Sequence, residues 1–256
     1  MQYKHAPGGS YEDFASGRVL FNLPGLPNFP ARLAQEIFLR CVSYLDVKEG
    51  LRVYDPCCGG GCLLTVIGFL NYKKICLLAG SDIDADALRI AKRNLSLLDA
   101  DGLSARAEQL REMSMLYGKA SHAAAADSGA HMQKYLISER EDMTGTLVFE
   151  ADILNENSLN VLRFKDESHK FDVVAADLPY GSLTAWQGVN TADAVYRMLS
   201  NLAKVMKPGS VAALCMDKGQ KVGRVPDGFG RMEKQHVGKR RFEIYRFLNH
   251  LAPLKK

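Results

Sequence analysis

Residues 51–64 constrain this chain more than any other stretch: Leu-Arg-Val-Tyr-Asp-Pro-Cys-Cys-Gly-Gly-Gly-Cys-Leu-Leu. A short β-branched and aromatic run stops at Asp55-Pro56, passes three glycines and enters an apolar helical pattern. That is strand, turn and helix, the opening unit of an open α/β sheet. Glycines in such a turn let the backbone approach a ligand closely, because no Cβ intervenes. The following helix points its free N–H groups at the same place. Spacing narrows the ligand. A dinucleotide fingerprint needs Gly-x-Gly-x-x-Gly; Gly59 and Gly61 fit, but the third position is Leu64. Instead an acid, Asp55, ends the strand. A carboxylate there repels a pyrophosphate and suits a ligand carrying an ammonium group. The competing reading is a glycine turn beside a solvated Asp.

Acid, then Gly-x-Gly, resembles motif I of the class I S-adenosylmethionine (SAM) methyltransferases. That resemblance implies that Asp55, Gly59 and Gly61 surround the methionine part of SAM. The next apolar run, residues 75–82, is bounded by turn signals and reads as a buried parallel strand. It ends at Asp82, about twenty residues past the glycines, where such folds place an acid on a ribose. Ile83 follows and is a candidate to lie against an adenine. Asp84 is expected to cap the next helix, whose apolar face is Ala87, Leu88, Ala91, Leu95 and Leu98.

Elsewhere the pattern is that of one α/β unit. Residues 1–29 are rich in Gly, Pro, Asn and Ser and read as an extended arm. Residues 30–256 read as one domain, with an N-terminal helix over 30–46 and a helical insertion over 100–145. Within the insertion, residues 106–119 and 130–141 look helical, and Gly102, Gly118 and Gly129 read as breaks. Strands are expected at 146–151, 171–176 and 210–216, and a terminal hairpin at 230–237 and 241–247, turned at Gly238. Residues 186–206 read as partly helical, closed by Pro208-Gly209. Asp152 and Ile153 end the third strand, and they suit either the adenine edge and face or a local cap.

Composition sets the surroundings. No apolar run of about 18 residues exists, so no membrane span is expected. The start has no signal-peptide core. The six cysteines show no Cys-x-x-Cys pair, so no metal site is expected, and a reducing cytoplasm suits them. Net charge is +4, but residues 217–246 hold nine Lys or Arg against four acids, leaving −1 for the remainder. A basic end on a neutral body suits a polyanion such as RNA; a solvated hairpin face explains it equally well.

The second informative stretch is Asp177-Leu178-Pro179-Tyr180, at the end of the expected fourth strand. Open α/β sheets bind ligands at the carboxyl ends of strands. An amide-like or aromatic nitrogen has a delocalised lone pair and carries protons. The Asp177 carboxylate and the Leu178 carbonyl can hold those protons, and Tyr180 can stack on a planar substrate. The motif resembles the Asp-Pro-Pro-Tyr of methyltransferases that modify amino nitrogens of bases or of glutamine side chains.

Together with Phe29-Pro30-Ala31-Arg32-Leu33, Asp55-Pro56-Cys57-Cys58-Gly59 and Val237-Gly238-Lys239-Arg240-Arg241, it resembles the AviRa-type 23S rRNA methyltransferases of avilamycin resistance. The resemblance spans residues 29–246. It implies a Rossmann-like class I methyltransferase with a seven-stranded, mostly parallel sheet, an antiparallel C-terminal hairpin and a helical insertion. It implies SAM as cofactor, a guanine nitrogen of 23S rRNA as acceptor, and a monomer in the cytoplasm. The expected catalytic residues are Asp177, Leu178, Pro179 and Tyr180. Those expected at the cofactor are Asp55, Gly59, Gly61, Asp82, Ile83, Asp152, Ile153 and Asp177. Those expected at RNA are Arg32, Lys239, Arg240 and Arg241. Two rivals stand beside this: a methyltransferase of DNA, protein or a small molecule, and a non-catalytic SAM- or RNA-binding module.

Overall fold

The structure is a computed structural model that describes residues 2–15, 18–22, 28–139, 145–179, 186 and 189–248. In chain order its elements are α1 (Ala31–Ser43), β1 (Leu51–Asp55), α2 (Cys62–Asn71), β2 (Ile75–Asp82), α3 (Ala85–Ser96), α4 (Ala100–Tyr117) and α5 (Ala120–Glu139). There follow β3 (Gly145–Glu150), β4 (Phe171–Asp177), α6 (Thr191–Leu202), β5 (Met206–Asp217), β6 (Phe229–Val237) and β7 (Arg240–Phe247). The strands form one seven-stranded sheet, ordered β3-β2-β1-β4-β5-β7-β6. β1 to β5 run parallel, and β7 runs antiparallel to both β5 and β6. The expected mostly parallel sheet with an antiparallel C-terminal hairpin is what the chain builds.

The central strands are apolar on both faces, and their period of two sorts them between two cores. Val173, Ala175, Val211 and Ala213 face the α1–α2–α3 side. Val174, Ala176, Ala212 and Leu214 face α6. The strand order reverses direction between β1 and β4, each continuing outward on its own side. That switch point opens a crevice at the carboxyl ends of these two strands.

Two expectations about punctuation change. Pro208 and Gly209 lie inside β5 rather than closing a helix. The β4–β5 register slips there, from Phe171↔Met206 to Val173↔Val211; such an irregularity tolerates a proline that has no N–H to give. Gly102 and Gly129 lie inside α4 and α5, and of the three insertion glycines only Gly118 ends a helix, with φ 58°. Gly102 serves close approach, because a Cβ there would come within 2.1 Å of the Ser96 carbonyl oxygen, whereas a Cβ on Gly129 would make ordinary contact with Ala107 at 3.4 Å. The expected helix over residues 186–206 is confined to α6, capped by Asn190, whose side chain accepts from Asp193 N at 3.0 Å.

The described residues ahead of α1, expected as an extended arm, pack on the body at several points. Phe14, Val19 and Leu20 are buried. The backbone N–H groups of Lys4, His5 and Ala6 donate to the carboxylate of Glu36 at 2.8, 2.9 and 2.6 Å, and Arg40 Nε donates to it at 2.7 Å. Burial alone would raise the Glu36 pKa; these four donors outweigh it and hold the group at about 2. Such a carboxyl contributes stability above its unfolded pKa, and the contribution is lost as pH falls through the folded one. Glu36→Gln is therefore expected to lower stability at neutral pH by about 3 kcal/mol and to flatten the acid limb of a stability-versus-pH curve. Parallel acid limbs for the two proteins would reject this.

Candidate active site

All five parallel strands end in acids, and those of the three adjacent strands β2, β1 and β4 are Asp82, Asp55 and Asp177. Between Asp55 and α2 the backbone makes a tight turn. Gly61 N donates to Cys58 O at 2.7 Å, and Cys58 N donates to Ser81 O on β2 at 2.9 Å. Gly59 and Gly61 hold φ of 49° and 75°, which a side chain would strain. Gly61 also lets α3 close in, because a Cβ there would lie 3.0 Å from Ala91 Cα. Asp82 fastens the turn. Its Oδ2 accepts from Gly59 N at 2.8 Å and its Oδ1 from Asp84 N at 3.1 Å. Asp84 caps α3 as expected, accepting from Asp86 N and Ala87 N.

Asp55 is 1% exposed and accepts from Cys57 N at 3.0 Å. Burial raises its pKa well above the carboxylate range, and the charges of Asp82 and Asp177 raise it further. Cys57 reports the same convergence. Its thiol is raised first by burial, then by Asp55, Asp82, Asp177 and Asp152. The adjacent carboxyl ends of β2, β1 and β4 thus bring Asp82, Asp55 and Asp177 to the glycine turn. This arrangement is costly for the protein alone and complementary to a cation.

At the outer edge, Ile83 is 55% exposed. Asp152 is exposed, and its Oδ1 accepts from Leu154 N at 2.9 Å in a local turn. Ile153, expected over an adenine, is instead 3% exposed in the core beneath α6, and its carbonyl accepts from Asn201 Nδ2 at 2.8 Å.

The Asp177 stretch is pinned from β5 and β7. Asp177 pairs in register with Cys215, and Leu178 N donates to Cys215 O at 2.8 Å. Leu178 is 1% exposed and packs in the core on the α6 side of the sheet. Pro179 O accepts from Gln220 Nε2 at 2.8 Å, and Gln220 Oε1 accepts from Asp217 N at 2.9 Å. Tyr180 lies outside the described residues.

The basic hairpin residues divide. Arg240 Nη1 donates to both Asp177 oxygens, at 2.8 and 2.7 Å, and its guanidinium lies over the Phe29 ring, 5.0 Å from the centroid. Arg241 is 7% exposed and pairs with buried Glu243 at 3.3 Å. Both guanidiniums thus face inward, which departs from the expected outward basic face. Lys239, on the hairpin turn, is exposed, and Arg32 is half-buried with its guanidinium 4.3 Å from the Tyr3 ring centroid.

Two side chains at this site were not singled out from sequence. Gln220 follows a local turn in which Asp217 Oδ1 accepts from Gly219 N, and nothing local marks it. Asn94 carried a signal: it is a polar residue on the apolar face of α3. Fully buried, it donates to Gly60 O at 2.7 Å and exchanges hydrogen bonds with the backbone of Phe21.

The sheet order and the acid-and-glycine strand ends define a methyltransferase of the Rossmann-like class. The family described as rRNA methyltransferase AviRa matches residues 1–240, and the chain belongs to it. It is 35% identical over 239 residues to the 23S rRNA (guanine(2535)-N(1))-methyltransferase of Streptomyces viridochromogenes, covering 93% of each chain. A solved structure of rRNA methyltransferase aviRa from the same organism superposes with a TM-score of 0.83 at 34% identity, covering 96% of each chain. TrmN from Thermus thermophilus shares the fold, with a TM-score of 0.52 at 17% identity over 86% of this chain and 49% of that one.

Proposed function

We propose that this chain transfers a methyl group from SAM to N1 of a guanine in 23S rRNA, acting as a monomer in the cytoplasm. The observation that carries the reading is the set of acids, Asp82, Asp55 and Asp177, at the ends of the adjacent strands β2, β1 and β4 around the glycine turn that Asp82 fastens. The relative from Streptomyces viridochromogenes, named for guanine N1 of 23S rRNA, supplies the substrate class.

The residues fit the cofactor. Asp55 is a buried carboxylate suited to the ammonium of a methionine moiety. Each Asp82 oxygen has spent one acceptor site on the backbone and keeps another for a ribose hydroxyl. Ile83 and Asp152 stand at the outer edge for the adenine. When bound, SAM supplies an electrophilic methyl on its sulfonium. The chain's own contribution is alignment and removal of the guanine N1 proton. Arg240 donates to both Asp177 oxygens and so orients the carboxylate for that role. Gln220, holding Pro179 O, fixes the backbone on which the Leu178 carbonyl sits. Tyr180 is the stacking partner for the base, and Lys239 an exposed phosphate contact.

The test is incubation with methyl-labelled SAM and separate pools of rRNA, DNA and protein. Label is expected in 23S rRNA, at N1 of one guanine. Label in protein or DNA but not in rRNA would overturn the reading.

A further inference from the structure

Away from the carboxylate crevice, residues 18–22, α3 and the insertion helices enclose a cavity of about 330 Å³, lined among others by Arg18, Phe21, Arg93, Arg106 and His122, and by no carboxylate among the described residues. One ring holds two cations: the Arg93 and Arg106 guanidinium carbons lie 3.8 and 4.2 Å from the Phe21 centroid. Stacking of this kind fixes a guanidinium while leaving its N–H edge able to bind an anion.

The neighbouring arginines show what is unusual. On the same helices, Arg89 pairs with Asp86 at 2.7 Å, and Arg111 pairs with Glu108. Among the described residues, Arg93 and Arg106 have no such acid. Arg106 gives its N–H groups to uncharged acceptors, Val19 O at 2.9 Å, Arg18 O at 3.5 Å and Gln109 Oε1 at 2.6 Å. Burial, followed by repulsion from Arg93, lowers its pKa to about 10. Two like charges held together in a partly buried cavity are unfavourable for the protein alone, and an anion between them relieves both.

We propose that this cavity is a phosphate-binding pocket that holds one backbone phosphodiester of the RNA substrate. The proposal rests on the RNA substrate assigned above. Phosphate contacts of this kind set the register of a nucleic acid on its enzyme and carry no sequence information. The pocket is also tied to the cofactor turn. Asn94, the residue after Arg93, clamps the Phe21 backbone to Gly60 O. The same side chain therefore positions the ring between the two guanidiniums and the glycine loop of the crevice.

The test compares the whole wild-type protein with Arg93→Gln and Arg93→Glu, measuring affinity for a 23S rRNA transcript across a salt series. Arg93 is exposed at the rim, so both variants should fold, which unchanged SAM affinity would show. Arg93→Gln is expected to weaken rRNA binding about fivefold at low salt and to lower the slope of log K against log salt by about 0.7–0.9. Arg93→Glu should weaken binding further. An unaltered slope overturns the proposal. So does a result in which inorganic phosphate raises the melting temperature of wild type but not of Arg93→Gln while both give the same rRNA slope, because the pocket would then serve a free anion. Should wild type bind rRNA with the expected slope change yet methylate none, the pocket stands and the proposed reaction fails.

Discussion

Asp177→Asn is expected to reduce methyl transfer to rRNA by about two to four orders of magnitude, with SAM affinity unchanged. Asparagine keeps the size of the side chain and an oxygen that can accept from Arg240, so the bond to β7 persists in part. It has no basic oxygen to take a proton. The loss should therefore fall on kcat rather than on the KM for rRNA, as it does when an interaction made in the transition state is removed. Single-turnover assays with saturating SAM and rRNA would measure it. Near-normal turnover in Asp177→Asn would mean that proton removal does not pass through this carboxylate. A parallel loss of SAM affinity would mean that Asp177 belongs to the cofactor's binding surface instead.

Asp55→Asn should have the opposite signs for stability and for binding. The Asp55 carboxyl is buried beside Asp82 and Asp177, with its pKa raised well above the usual range. Between its unfolded and folded pKa values the native state holds the proton and the unfolded state has released it. Stability therefore falls as pH rises through that window, and the full cost remains above it. Removing the charge is expected to stabilise the cofactor-free protein by about 1–2 kcal/mol at mildly alkaline pH, a common exchange of stability for function. The gain should shrink as pH falls. Affinity for SAM should drop about a hundredfold, because an ammonium would lose its buried counter-charge. Wild-type affinity should itself weaken on acidification, since a protonated Asp55 must release its proton to receive the cation. Thermal melts and calorimetry on both proteins across pH would test this. A less stable Asp55→Asn with full SAM affinity would remove Asp55 from the site.

What the sequence by itself determined was the part carried by neighbours along the chain. The acid and glycines of 55–61, the acid ending β2 and the Asp-Leu-Pro stretch are local signals, because a strand end and a tight turn demand particular residues within a few positions. The sheet's class and the terminal hairpin were legible for the same reason: apolar runs and Gly238 report on local backbone. Partnerships across the sheet were not legible. Arg240 reads as one of a basic cluster, yet β5 lies between β4 and β7, and that order brings its guanidinium onto Asp177. Arg241 reads identically, but the alternation of β7 turns it toward Glu243. Gly102 looks like a break until packing shows that it meets the end of α3 too closely for a side chain. Arg93 and Arg106 look like ordinary charges of solvated helices, and only the fold stacks both on Phe21, with no acid paired to either among the described residues. Periodicity and turn chemistry act over a few residues, whereas the partner of a charge is chosen by which strands and helices end up side by side.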